Sequence, residues 1–185
     1  LTLRGTAFVY QGEELGLPQS EVPLEAIVDP VGRALWPGDK GRDGARTPMP
    51  WDDTAGAGFS AGPDGGRAPS WLPIEPAHRP LSVARQDADP GSTLAYFRRL
   101  VAWRRANPVV RRGEIAFLDV AAPVLAFQRA DARSRLLCAF NLSDAAVEID
   151  LEPGGLPGEA APVSLGGRLT GGRLTLPAWG CLLAP

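Results

Sequence analysis

Between Leu17 and Ala88 the chain sustains no hydrophobic period of 2 or of 3.6, yet it holds most of the prolines together with Trp36, Trp51 and Trp71. A stretch of this kind cannot form a layer of strands or helices with an amphipathic face of its own. It also far exceeds the ~12–15 residues that an unstructured connection reaches inside a compact domain. It is not low-complexity, and its tryptophans give it something to bury, so disorder is the weaker description. We expect an ordered, irregular excursion that caps a site carried by a more regular scaffold. The 22 glycines and 19 prolines of the 185-residue chain are consistent with that much irregular backbone.

The flanking segments are more regular. Ala7, Phe8, Val9 and Tyr10 form a short apolar run between Arg4-Gly5 and Gly12-Glu13-Glu14, the pattern of a fully buried strand in a parallel sheet. Leu1 and Leu3 read as the end of a preceding helix closed by Gly5. A lone parallel strand is not stable, because its faces and edges need neighbours, so the expectation is a piece of something longer. Residues 89–107 read as a helix, with Asp89 or Ser92 as cap, Pro90 near its first turn and Pro108 as its stop. Leu94, Phe97 and Val101 make one stripe and Tyr96, Leu100 and Trp103 an adjacent one, with the arginine pairs at 98/99 and 104/105 on a solvated face. From 114 to 184, EIAFLDV, PVLAFQR, RLLCAFN, AVEIDL, APVSL, RLT, RLTLP and WGCLLA are separated by turn residues. Short runs at that spacing predict a small antiparallel sandwich. Phe117, Phe127 and Phe140 read as its core. With no exposed aromatic platform for a sugar, this part reads as a brace packed on the rest through the 89–107 helix.

Charge and rare residues narrow the function classes. The formal net charge of -2 speaks against nucleic acid or an anionic membrane as partner. No apolar run approaches the ~20 residues of a membrane-spanning helix, and a cytoplasmic location is the expectation. Cys138 and Cys181 lie in apolar segments and read as buried unpaired thiols. His78 is the single histidine, so a Ser-His-Asp triad, a Cys-His pair or a histidine metal site would have to include it. Standing between prolines in PAHRP, it reads as an exposed loop histidine. No metal and no cofactor are expected.

Two groups of residues carry possible chemistry. Glu13 and Glu14 follow the apolar run, and active sites of parallel α/β folds lie at the carboxyl ends of strands. Glycoside hydrolysis needs two carboxyl groups facing each other across the scissile bond. Adjacent residues of an extended chain point to opposite faces, so this pair is better read as supporting groups. The second group is GRDGARTPMPWDD, residues 41–53. Arg42, Asp43 and Arg46 stand between glycines and Pro48, with Trp51 closing the segment. A guanidinium fork can hold a carboxylate while offering hydrogens to a polyol, and a tryptophan face suits a sugar ring. It is not a phosphate loop, since GxxxxGK[ST] is absent and Lys40 precedes the glycines.

GTAFVYQGEELGLPQ and the GRDGARTPMPWDD that follows resemble the alpha-amylase superfamily of glycoside hydrolases, with most likeness to its alpha-glucosidase and oligo-1,6-glucosidase group. The first motif is similar to the segment at the eighth strand of that family's (β/α)₈ barrel, the second to the loop after it. PSWLPI, the helix LAYFRRLVAWRRANP and a β domain complete a familiar order. The resemblance implies residues 1–112 as the end of a TIM barrel with a long irregular loop and final helix, and 113–185 as a small antiparallel β-sandwich. It implies Arg46 as substrate-binding, pairing with an Asp from an early loop and closing the pocket around a terminal glucose. Asp43 and Trp51 would support that loop, with Tyr10 and Glu14 as wall and scaffold. The family's nucleophile Asp, acid/base Glu and stabilising Asp lie on strands 4, 5 and 7, and its calcium-ligand segment also lies upstream, so none has a matching position here. The expectation is the C-terminal portion of a retaining alpha-glucosidase acting on an oligosaccharide or disaccharide. It would be completed by a missing N-terminal part of the same polypeptide and inactive alone. A sucrose isomerase, a trehalulose-forming enzyme or a trehalose-6-phosphate hydrolase would share the frame. A non-catalytic carbohydrate-binding or structural homologue is the alternative of a different class.

Overall fold

A computed structural model of the chain describes residues 1–59, 70–151 and 159–185. Two compact units emerge: Phe8–Arg98, and Leu1–Ala7 together with Arg99–Pro185. The division falls within one helix.

The second unit is built on strands. The four-stranded antiparallel sheet has the order β1 (Glu114–Phe117), β2 (Val124–Ala130), β3 (Arg135–Asn141) and β7 (Cys181–Ala184). The three-stranded one runs β4 (Val147–Asp150), β6 (Arg173–Leu176), β5 (Arg168–Thr170). Register follows the turn chemistry. Asp131 accepts at Oδ1 from the backbone N–H groups of Arg133 and Ser134, closing the β2–β3 hairpin. Gly171 and Gly172, at φ 58° and 85°, form the two-residue β5–β6 turn, where both positions need a left-handed backbone.

Side chains alternate between two cores, which is why β2, β3 and β7 read as continuous apolar runs. Val124, Ala126, Leu137, Ala139, Leu182 and Ala184 meet Leu151, Leu174 and Leu176 from the three-stranded side in one cluster. Phe127, Leu136, Cys138 and Leu183 point to the other face, where Leu100, Trp103, Val109 and Val110 cover them. Those last four come from α3 (Thr93–Ala106) and α4 (Pro108–Arg112).

Several expectations need correction. The helix begins at Thr93, because Ser92 Oγ accepts from Ala95 N at 3.1 Å and Asp89–Ser92 forms the turn before it. α3 stops at Ala106, before Pro108 as expected, but the same proline also opens a separate α4, where a proline at the first position loses no hydrogen bond. Residues 161–165 form no strand; only Leu165 bridges to Cys181. Phe117 is 62% exposed, on an edge strand, with its ring edge against Phe127. Arg104 does not lie on a purely solvated face, since its guanidinium donates to the Leu1 carbonyl. Both cysteines are buried and outside any disulfide, as expected. The turn expected at Pro153-Gly154-Gly155 lies outside the described residues.

In the first unit, the described residues hold short pieces: α1 (Pro30–Leu35), α2 (Val83–Asp87), and 3₁₀ turns at Glu13–Leu15, Leu24–Ala26, Asp43–Ala45 and Pro76–Leu81. Val22, Ile27 and Leu72 form its small core, with Trp36 packed against them. The expected buried strand is absent. Residues 6–10 carry no strand assignment, and Phe8 is 88% exposed. A parallel strand is made by its neighbours, and none flanks this run among the described residues. No helix among the described residues is long and apolar enough to cross a membrane.

Candidate active site

The GRDGARTPMPW segment is held by an exchange of carboxylates. Asp43 Oδ2 accepts from the backbone N–H groups of Val28 at 2.6 Å and Asp29 at 2.8 Å. In return, the Asp29 carboxylate accepts from Val31 N at 2.9 Å, capping α1, and from Arg42 N at 3.2 Å. Both aspartates are buried, Asp29 being 5% exposed. The Arg42 N–H, then the Val31 N–H, hold the Asp29 carboxyl below the ordinary 3.8. Two guanidinium groups approach the same oxygen of Asp29: Arg42 Nε at 3.5 Å and Arg46 Nη1 at 3.8 Å.

Arg42, Asp43 and Arg46 line a cavity of ≈ 290 Å³ with Asp29, Trp71 and Leu72. The Trp71 indole N–H donates to the Arg46 carbonyl at 3.0 Å, so the tryptophan steadies the backbone that carries the arginine. Arg46 keeps 40% of its side chain exposed, leaving guanidinium hydrogens available to a polar ligand while one end faces Asp29. In the sequence Asp29 carries no assigned role, and Trp71 reads only as apolar surface to bury. Asp29 stands before a proline at the head of a short helix, a capping signal, but nothing local links it to Arg46.

The other predicted residues lie elsewhere. Trp51 is half exposed and bonded through its backbone to Ala57 and Ala84. Glu14 folds back, its Oε2 accepting from Gly12 N at 2.9 Å, and Glu13 begins the same 3₁₀ turn. Tyr10 lines a second cavity, of ≈ 190 Å³, with Gln11, Thr47, Met49 and His78. His78 is not an exposed loop residue: it is 3% exposed, and its Nε2 donates to the Pro18 carbonyl at 2.7 Å. The prolines beside it fold the Pro76–Leu81 turn so that the ring points inward. No group of three or more His, Cys, Asp or Glu residues able to hold a metal occurs among the described residues.

Comparison with known proteins gives a consistent result. The probable alpha-glucosidase of Rhizobium meliloti (strain 1021) is 41% identical over 189 residues, covering 100% of this chain and 32% of that protein. The crystal structure of the alpha-glucosyl transfer enzyme XgtA superposes with a TM-score of 0.85 at 43% identity, over 96% of this chain and 32% of that one. Trehalulose synthase MutB from Pseudomonas mesoacidophila MX-45 gives 0.81 at 26% identity, over 100% and 36%. The chain thus spans about a third of the length of each. The family model described as alpha amylase, catalytic domain, matches residues 1–113, and on that match the chain belongs to the alpha-amylase family.

Proposed function

We propose that the full-length protein is an exo-acting, retaining alpha-glucosidase that removes terminal alpha-linked glucose from short oligosaccharides. The observation that carries this reading is the match of the whole chain, at 41% identity, to a protein named a probable alpha-glucosidase. Residues 1–112 are then the end of the (β/α)₈ barrel with the loop after its last strand and the final helix. Residues 113–185 are the β-sandwich domain. The exposed run Phe8–Tyr10 supports this division, since it becomes a buried strand once barrel neighbours cover it.

In this reading the nucleophile and acid/base carboxylates come from the part of the protein outside this chain. Retention requires them ~5–5.5 Å apart and proceeds through a covalent glycosyl-enzyme that water then opens. Arg46 donates to hydroxyls of the terminal glucose, Asp29 holds the guanidinium, and Asp43 holds Asp29. Trp51, Tyr10 and Glu14 support the walls. The test follows the anomer released by the full-length protein from maltose, isomaltose and a chromogenic alpha-glucoside, by proton NMR. Alpha-glucose should appear first; beta-glucose first, or no release from any of the three, would overturn the reading.

Glucosyl transfer is a second reading, favoured by the likeness to XgtA, an alpha-glucosyl transfer enzyme, and to a trehalulose synthase. The covalent intermediate is the same, and a sugar hydroxyl takes the place of water. Sucrose separates the two: fructose leaves in either case, free glucose in equal amount to fructose marks hydrolysis, and a new disaccharide or trisaccharide marks transfer.

A further inference from the structure

We propose that His78 is a positioning residue for the segment that carries Arg46; its consequence for activity rests on the alpha-glucosidase reading above. His78 Nε2 lies 2.7 Å from the Pro18 carbonyl. A carbonyl only accepts, so the ring proton sits on Nε2 and the histidine is a donor there. Ser20 Oγ lies on the same nitrogen at 3.5 Å. The strap Pro18–Ser20, anchored in this way, grips the Arg46 segment at two points. Ser20 N donates to the Gly44 carbonyl at 2.9 Å, and Ser20 Oγ shares a buried hydrogen bond of 3.2 Å with Thr47 Oγ1. Gly44 and Thr47 flank Arg46 on either side.

The close approach of strap and segment is built into the sequence. A Cβ on Gly44 would meet the Ser20 carbonyl oxygen at 2.4 Å, so only glycine allows the two backbones to touch. His78, Ser20 and Thr47 are all buried, where a missing partner leaves a polar group uncompensated. The opposite side of the segment is held by Asp43 on the Val28 and Asp29 backbone. Arg46 therefore stands on a stretch clamped from both sides, and His78 is the anchor of one clamp. Among the described residues its Nδ1 has no hydrogen-bond partner, and the polar contacts of the ring run through Nε2 to Pro18 and Ser20.

The test compares His78→Gln, which keeps a side-chain N–H in the region of Nε2, with His78→Leu, which fills space and cannot donate. Both are made in the full-length protein and read by amide hydrogen exchange and by kcat/KM on a chromogenic alpha-glucoside. In His78→Leu, amides of residues 43–47 should exchange about tenfold faster, with kcat/KM lower by about tenfold, while the β2–β3 turn at residues 131–134 is unchanged. His78→Gln should stay near the parent in both readouts. Unchanged exchange at 43–47 in His78→Leu, or His78→Gln as impaired as His78→Leu, would overturn the positioning role whatever the enzyme's substrate. Faster exchange with unaltered kcat/KM would overturn its link to Arg46. If no variant and no parent turns over the glucoside, the alpha-glucosidase reading fails, and exchange still decides the role of His78. Should His78→Leu not fold, Ser20→Ala cuts the clamp one step later; it should speed exchange at 43–47, and unchanged exchange there would overturn the proposal.

Discussion

Arg42 and Arg46 both face Asp29 Oδ2, but they differ in what solvent leaves them. Arg42 has 75% of its side chain exposed and Arg46 40%, and an ion pair in water contributes only ~0–1 kcal/mol. Hydrogen bonds from a charged group to a bound sugar contribute about 1.5–3 kcal/mol each. In the full-length protein Arg46→Ala should lower kcat/KM by about tenfold for every ~1.4 kcal/mol lost, and Arg42→Ala should cost much less. Equal, small effects with unchanged Tm in both would make Arg46 one more surface arginine. Asp29 allows a second expectation. Its carboxyl titrates below 3.8 in the folded chain, so the unfolded chain binds more protons as the pH falls. The stabilisation it contributes is complete well above 3.8 and is lost as pH drops through the lowered native value. Asp29→Asn should therefore melt below the parent at pH 7, the gap narrowing only as the pH falls below 3.8. A gap that stays constant between about pH 7 and pH 3 would refute the linkage.

At the scale of elements, β2 shows how a strand serves three neighbours. Val124 and Ala126 face one core, Phe127 the other, and Arg129, fully buried, ends the strand with donors instead of apolar surface. Its guanidinium donates to the carbonyls of Thr2, Gly113 and Glu114, the last two at 2.7 and 3.2 Å. Burial pushes its pKa down, yet three acceptors compensate the charge. Arg129→Met keeps volume and leaves those carbonyls unmet; the expected loss is about 2–5 kcal/mol in denaturant unfolding, and a loss under ~0.5 kcal/mol would show that water replaces the arginine. On β3, burial pushes the Cys138 thiol up to about 12. With almost no thiolate at neutral pH, Cys138 should stay unmodified by a thiol-specific disulfide reagent until the protein unfolds. Modification of Cys138 in the native protein would contradict the packing.

For the molecule as a whole, the proposed reading puts the bond-cleaving carboxylates outside this chain, so the 185-residue chain should bind or orient sugar at most and turn over no chromogenic alpha-glucoside. Turnover by the purified chain would overturn that assignment. Most strands from 114 to 184 were legible because short apolar runs, hairpin glycines and Asx turns are local signals, each readable within a few residues; the run at 161–165 misled, forming no strand. The helix was legible for the same reason, although its first turn yielded to the Ser92 cap. The motif at 41–53 was legible as a loop with arginines and a tryptophan. Which carboxylate lies beside Arg46 was not, because Asp29 and Arg46 meet only after α1 and the Asp43 turn fold together. His78 misled for a related reason: prolines on both sides mark a turn but do not say which way the ring points, and its inward side is decided by Pro18 and Ser20. The apolar run Ala7–Tyr10 carries a strand's composition without a strand's hydrogen bonds. By itself the sequence determined the periodic elements, the turns and the family motifs, since these depend on neighbours along the chain. Only the tertiary structure decided strand pairing, the burial of His78 and the Asp29–Arg46 approach, since a hydrogen bond or ion pair between distant segments exists only when both are brought within a few ångströms.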